Sequence, residues 1–404
     1  MTNNVSTLNV LLYGEPIATI TNVGNDRTLF AFTDSYLNDE ARPVLGLGFK
    51  DSLGGLLTNF KPTQTRLTPF FSNLLPEETM RHYLAERAGV NPAREFFLLW
   101  VLGQDLAGAI TVEPADGEAL PPHVQQGAEG KMKTEAPMRF SLAGVQLKFS
   151  AMQQASGGLT IPATGQGGSW IVKLPSSRFD AVPENEYSMM ELARMLGMNV
   201  PETQLLPVNQ IANIPDGIGK YGDNAFVIKR FDRAGEQAVH IEDFAQVFGV
   251  YPQDKYKKAS MRNIAQVIGI EGQDEDIAEF TRRLVFNTLI GNADMHLKNW
   301  SVIYKDKRTA SIAPAYDFVS TIPYIPDDNA SLKVSRSKKF SDFTLDELSH
   351  LAAKAMLPEK LVLDTAKQTV AGFHEVWAKE KTHLALTKSM IEVIDTHLRS
   401  IPLR

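Results

Sequence analysis

Beyond a loop-rich stretch at residues 113–137, strand patterning dominates to about Phe231 and helical patterning follows it. That segregation most narrows the folds open to this chain, because it calls for a β-rich lobe followed by a helical one. Before the stretch, residues 8–33 alternate apolar and polar around Gly14-Glu15-Pro16 and Gly24-Asn25-Asp26, the pattern of short antiparallel strands joined by turns. From Pro76-Glu77-Glu78 the period becomes helical, with Met80, Tyr83 and Leu84 on one face, and a second helix is expected from Arg94 to Leu102. Periodicity then fails through Pro114, Gly117, Pro121, Pro122, Gly127, Gly130 and Pro137. The expected organisation is a β-rich N-terminal subdomain at 1–112, a linker at 113–137, a β-rich lobe at 138–232 and a helical lobe at 233–404, without internal repeats. The fold class is α+β.

A chain of 404 residues has room for two to three cores. Its 43% hydrophobic and 22% charged residues are those of a soluble globular protein. No apolar run approaches the ~18 residues that span a bilayer. Met1-Thr2-Asn3-Asn4 does not begin a signal peptide, so a cytoplasmic protein with no membrane partner is expected. The absence of cysteine excludes disulfides and thiolate metal sites and leaves oxygen and imidazole ligands, which suits Mg²⁺. A net charge of -6 argues against nucleic-acid binding through the overall field.

The loop Gly291-Asn292-Ala293-Asp294-Met295-His296-Leu297-Lys298-Asn299 carries the chemistry. It places an Asp five positions before an Asn, beside a basic residue. In phosphoryl transfer from ATP, such an Asp orients the attacking hydroxyl and accepts its proton, while the Asn ligates Mg²⁺. Alone, the spacing is more often that of a solvated helix C-cap and loop.

Other elements stand in the order this chemistry needs. The small residues of Phe140-Ser141-Leu142-Ala143-Gly144-Val145-Gln146-Leu147-Lys148 would let backbone amides approach a triphosphate, although alone this is an ordinary turn. In the apolar strand Ser169 to Pro175, Lys173 either faces solvent at an edge or points into a cleft, where it would meet the α and β phosphates and an acid on the next helix. That helix, from about Glu184 to Leu196, offers Glu186, with Met190 and Ala193 further along its face; Met189 and Met190 read as core. Phe226 to Arg233 runs from strand to loop at the inter-lobe position, where the backbone of Lys229 to Phe231 would meet adenine and Asp232 the ribose. Asp317, 18 positions after Asn299, follows the apolar strands Val302-Ile303-Tyr304 and Ile312, where a kinase carries its second metal-binding Asp.

Ser141 to Gln146 with Lys148, Asn185-Glu186, Arg230-Phe231-Asp232-Arg233, Gly291 to Asn299 and Tyr316-Asp317 together resemble the HipA-like serine/threonine kinase toxins, and Phe71-Ser72-Asn73-Leu74-Leu75-Pro76-Glu77 resembles that family's N-terminal domain. The likeness covers nearly the whole chain. It implies a protein-kinase-like bilobal fold with an N-terminal β-rich subdomain and an all-helical C-lobe. It also implies ATP and Mg²⁺ as cofactors and a small helix-turn-helix antitoxin (HipB-like), through which the toxin meets operator DNA. The implied protein substrate is a translation component such as an aminoacyl-tRNA synthetase. By position, the resemblance assigns Asp294 as catalytic base and Lys173 as the ATP lysine supported by Glu186, with Asn299 and Asp317 as metal ligands. It places His296, Lys298 and Tyr316 around the nucleotide, and Ala143, Gly144, Val145, Gln146 and Lys148 over its phosphates. Ser141 matches the autophosphorylated serine, whose modification would add about two negative charges beside ATP and switch the enzyme off. The chain departs from the pattern at Lys229, where relatives often carry an acid.

Two basic clusters, Lys255, Lys257 and Lys258 with Tyr251 and Tyr256, and Lys333, Arg336, Lys338 and Lys339, read as solvated faces or as contacts to nucleic-acid phosphates. A small-molecule phosphotransferase would share the catalytic set but should line its C-lobe pocket with acids. A silent co-repressor should lack one of Lys173, Asp294, Asn299 or Asp317, and all four are present.

Overall fold

The computed structural model describes residues 6–51, 53–115, 147–153, 159–161, 168–214, 217–235 and 237–403; Ser141, Ala143, Gly144, Val145 and Gln146 lie outside the described residues. Strands β1 (Thr7–Leu12), β2 (Glu15–Asn22) and β3 (Arg27–Phe32) form an antiparallel meander. Leu8, Val10 and Leu12 are fully buried while the residues between them are half-exposed, which is the alternation read from the sequence. Tyr13 and Gly14 both take positive φ at the β1–β2 turn, as a two-residue hairpin with right-handed strand twist requires. Short helices α1 (Asp34–Asn38) and α2 (Pro69–Ser72) flank β4 (Thr63–Gln64), and α3 (Glu78–Ala88) and α4 (Glu95–Leu102) follow. The sheet order is β4-β3-β2-β1-β5, closed by β5 (Ile110–Pro114) on β1. Pairing with β1 carries β5 two residues past the 112 boundary.

In the second lobe the sheet order is β10-β7-β6-β8-β11-β9, from β6 (Lys148–Gln153), β7 (Leu159–Thr160), β8 (Trp170–Lys173), β9 (Thr203–Pro207), β10 (Ile211–Ala212) and β11 (Asn224–Lys229). Helix α5 (Val182–Met195) crosses between β8 and β9. Strand β11 is buried on both faces: Ala225 and Val227 join the core of this lobe, while Phe226 and Ile228 join Met189, Met190, Leu192 and Ala193 of α5 in the core of the helical lobe. The shared core seats one lobe on the other. Each fully buried aliphatic or Met side chain contributes about 1.5–3 kcal/mol to that seat.

The C-terminal lobe contains α6 (Phe244–Val247), α7 (Met261–Glu271), α8 (Asp274–Leu289), α9 (Leu345–Ala355), α10 (Glu359–Glu380) and α11 (Lys388–Ser400). Its strands are the hairpin β12 (Arg233–Ala234) and β13 (Gln237–Ala238) and the sheet β14 (His240–Asp243), β15 (Ser301–Tyr304) and β16 (Ser311–Ile312). The lobe is therefore not all-helical. All four residues of β15 are buried; all four pair with β14, and Val302 and Ile303 pair with β16 on the other edge.

Helix α8 positions the loop that follows it. Asp274, Glu275 and Asp276 sit in its first turn, Gln273 and Asp276 complete a reciprocal cap, and Ile277, Phe280, Leu284, Val285 and Phe286 are buried. The helix stops at Gly291, whose φ is +66° and whose missing Cβ would lie 2.4 Å from Ile322. A glycine is required there on both counts.

Candidate active site

Strand β8 delivers Lys173, and α5 delivers Glu186 one helical turn from its start. In register, Lys173 lies opposite Lys148 on β6 and Phe226 on β11. Two lysines directly opposite one another repel unless an anion sits between them. Asp317 supplies that anion. It forms an ion pair with Lys173 and lies 3.6 Å from Lys148 Nζ, while Lys173 also pairs with fully buried Glu186 and lies 5.6 Å from the Phe226 ring centroid. Burial pushes the Lys173 ammonium down, but Asp317 and Glu186 more than offset it and hold the group protonated. Burial pushes Asp317 up in turn, and Lys148 and Lys173 hold it well below the usual carboxylate range. Asp317 takes φ +62°, a conformation that Asp tolerates better than most residues.

The loop after Gly291 is framed by hydrogen bonds. Asn292 is 2% exposed, donates to Asn287 Oδ1 at 2.8 Å and accepts the Asp294 amide at 3.0 Å. The Ala293 amide donates to Thr321 Oγ1 at 2.8 Å. These contacts leave the Asp294 carboxylate exposed at the loop tip, where it accepts a hydrogen bond from the Tyr256 hydroxyl at 2.9 Å. Desolvation by the surrounding walls pushes the Asp294 carboxyl up, and the Tyr256 hydroxyl pulls it down. Asn299 Nδ2 donates to the Asp294 carbonyl at 2.8 Å, which commits its amide group and leaves its oxygen as the acceptor.

An Asn oxygen and an Asp carboxylate form a hard oxygen donor set that fits Mg²⁺, which takes one or two protein ligands and completes its shell with phosphates and water. Among the described residues no group of three or more His, Asp or Glu could hold a metal, so a cation here would draw further ligands from phosphate.

The remaining site candidates separate. Tyr316 packs against Phe231 with ring centroids 5.7 Å apart, and its hydroxyl donates to the Lys298 carbonyl at 2.9 Å. His296 is 6% exposed, burial pushes its pKa down to about 3, and its Nδ1 has no partner among the described residues. The amides of Lys229 and Arg230 are committed to the Glu202 and Ser169 carbonyls, each at 2.8 Å, so an adenine edge would meet the Phe231 amide and backbone carbonyls. The Lys229 side chain lies outside, 3.4 Å from Glu202.

Asp232 does not offer its carboxylate to a ribose. It is 5% exposed and accepts from Arg230 Nε at 3.0 Å, Arg233 at 2.9 Å and the Gly108 amide at 2.9 Å. Arg230 also pairs with Asp105 at 2.9 Å. The motif is a seam between the N-terminal domain and the two lobes. The Lys298 ammonium is likewise turned from the lysine cluster, to Glu77 at 2.7 Å and the Asn73 carbonyl at 3.1 Å, and Glu77 also pairs with Lys255 at 3.0 Å. Of the second basic cluster, Arg336 is neutralised by Asp346 and Glu347.

Sequence reading quoted Asn292 within the loop and Tyr256 within a basic cluster without giving either a role at Asp294, and it missed Thr321 and the ion pairs of Glu77. For Asn292 a local signal exists, since Asn two residues before a loop amide is an Asx turn. Tyr256 and Glu77 reach the loop only through the fold.

Residues 140–377 match the family described as HipA-like C-terminal domain, and residues 8–113 match the HipA N-terminal domain. The chain is 56% identical over 402 residues to "Putative kinase Y4dM" of Sinorhizobium fredii, covering 99% of this chain and 98% of that one. It is 29% identical over 301 residues to the "Serine/threonine-protein kinase toxin HipA" of Shewanella oneidensis, 65% of each chain. The solved structure of Shewanella oneidensis HipA with HipB and operator DNA has the same fold, with a TM-score of 0.72 at 23% identity over 97% of this chain and 95% of that one.

Proposed function

Since the chain belongs to the HipA family, we propose that it is an ATP- and Mg²⁺-dependent serine/threonine protein kinase and the toxin of a toxin–antitoxin pair. The observation that carries this reading is the pair of opposed lysines, Lys148 and Lys173, bridged by Asp317. Two ammonium groups brought opposite each other by strand register and joined through one carboxylate suit a polyphosphate, which would take up the Lys148 charge and share Lys173 with Asp317. Fully buried Glu186 holds Lys173 by a second ion pair.

Asp294, exposed at the loop tip, would receive the acceptor hydroxyl of a Ser or Thr. As the oxygen attacks the γ-phosphorus its proton passes to the Asp294 carboxylate, the bond from phosphorus to the β-γ bridging oxygen breaks, and ADP leaves. Asn299 and Asp317 would hold Mg²⁺, which when bound neutralises charge on the phosphates. The small helix-turn-helix antitoxin and operator DNA enter on the strength of the similar HipA–HipB–DNA structure, and the net charge of -6 favours DNA contact through the antitoxin rather than directly. A translation component such as an aminoacyl-tRNA synthetase as substrate, and Ser141 as the autophosphorylated residue, rest on the motif resemblance. No helix among the described residues is long and apolar enough to cross a membrane.

Intact mass of wild type and Asp294→Asn before and after Mg-ATP tests the reading. One added phosphate on Ser141 in the wild type alone is expected. None in either, on protein that starts unphosphorylated, overturns it.

A further inference from the structure

The segment from Val250 to Tyr256 is fastened on two sides. On one side the N-terminal domain holds it: Asn73 Nδ2 donates to the Val250 carbonyl at 2.7 Å, the Tyr251 hydroxyl donates to the Leu67 carbonyl at 3.1 Å, and Glu77 pairs with Lys255 at 3.0 Å. On the other it lies on the Asp294 loop, where the Leu297 amide donates to the Lys255 carbonyl at 3.3 Å. At its end the Tyr256 ring meets the buried His296 ring edge-on, with centroids 5.0 Å apart, and its hydroxyl reaches Asp294 Oδ1 at 2.9 Å. Among the described residues Tyr256 is the one side chain hydrogen-bonded to that carboxylate.

We propose that Tyr256 is a positioning residue for Asp294, and that the N-terminal domain holds it in place through the pairing of Glu77 with Lys255. The proposal rests on the reading of Asp294 as the base. An exposed Asp on a loop turns freely about its side-chain torsions, and each turn moves the oxygen that must take the proton. A phenol bonded to Oδ1 is a charge-assisted contact that stops this rotation and leaves Oδ2 for the acceptor hydroxyl. The anchor is held because its ring packs on His296 and the carbonyl of the preceding Lys255 accepts from the Leu297 amide. The N-terminal domain thereby acts on catalysis without touching nucleotide or acceptor.

Incorporation of labelled phosphate from γ-labelled ATP into the whole chain tests this with wild type, Tyr256→Phe, Glu77→Gln and Asp294→Asn. Tyr256→Phe removes one oxygen and keeps the ring on His296. It is expected to lower kcat roughly tenfold to a hundredfold, the cost of a misplaced reacting group, with KM for ATP and Tm unchanged. Glu77→Gln is expected to fall between it and wild type. A kcat for Tyr256→Phe at or above wild type overturns the proposal, the latter marking the phenol as a competitor of the acceptor hydroxyl. A fall in the kcat of Tyr256→Phe matched by a lower Tm and a raised KM in that same variant overturns it as a structural effect. The Asp294→Asn control separates the two layers. Turnover retained in it, or absent from the wild type, refutes the base assignment and this proposal together, whereas a silent Asp294→Asn beside an unaffected Tyr256→Phe refutes the positioning role alone.

Discussion

Lys173 and Asp317 stand 144 positions apart in the chain and form an ion pair that ties β8 to the segment after β16. Glu186 pairs with the same ammonium and is itself fully buried. A buried charge cluster of this kind adds little to stability over an apolar core, because desolvation offsets the attraction. Its place between two opposed lysines makes sense as a site that exchanges one anion for another.

Removing one member of the cluster should therefore separate stability from activity. Lys173→Met leaves Glu186 buried without its partner and is expected to destabilise the fold by about 3–5 kcal/mol as well as to abolish transfer. Adding Glu186→Met should recover most of that stability in urea melts and none of the activity. Recovery of activity in the double variant would contradict a role for Lys173 at the phosphates.

The Arg230-Phe231-Asp232-Arg233 motif leads to an opposite expectation. Asp232→Asn weakens four hydrogen bonds, one from the Gly108 amide of the N-terminal domain and three from Arg230 and Arg233, so its cost should appear in folding, at roughly 3 kcal/mol, with KM for ATP changed less than about twofold. Urea unfolding and ATP titration of the same variant check it. A raised KM at full stability would restore the ribose contact.

Glu77 supplies a pH signature. Burial pushes its carboxyl up, but Lys298 and Lys255 hold it down at about 2, against an ordinary 4.5. Its pKa is lower in the folded state, so its contribution is complete above the unfolded value and is lost as pH falls from about 4.5 towards 2. At neutral pH wild type should exceed Glu77→Gln by ~1–2 kcal/mol once solvent screening is allowed for. Urea unfolding of both proteins across this range should show the difference shrinking with acid. A constant difference would place the contribution in shape rather than charge.

Much of the architecture could be read before the fold was seen. Alternation marked β1 to β3, the helical period marked α8 through Ile277, Phe280, Leu284 and Val285, and the candidates Lys173, Glu186, Asp294, Asn299 and Asp317 could be listed in order. Asp232 misled because a carboxylate beside two arginines looks the same in sequence whether it faces a ligand or a domain seam. The partner that decides between them, Gly108, is 124 residues away. Tyr256 read only as part of a basic cluster, since it stands among lysines in sequence and its contact to Asp294 spans 38 residues.

By itself, then, the sequence determined which elements form and which donors and acceptors the site can call on, because hydrophobic period, turn chemistry and side-chain identity act over a few residues. Only the tertiary structure decided which ammonium meets which carboxylate. Lys173 turns to Glu186 and Asp317 while Lys298 turns to Glu77, because β11 and α5 share a core with the helical lobe and residues 73–77 of the N-terminal domain lie against the Asp294 loop. Ion pairing falls off within a few ångströms in water-like surroundings, so which charges pair is set by which backbones packing brings together.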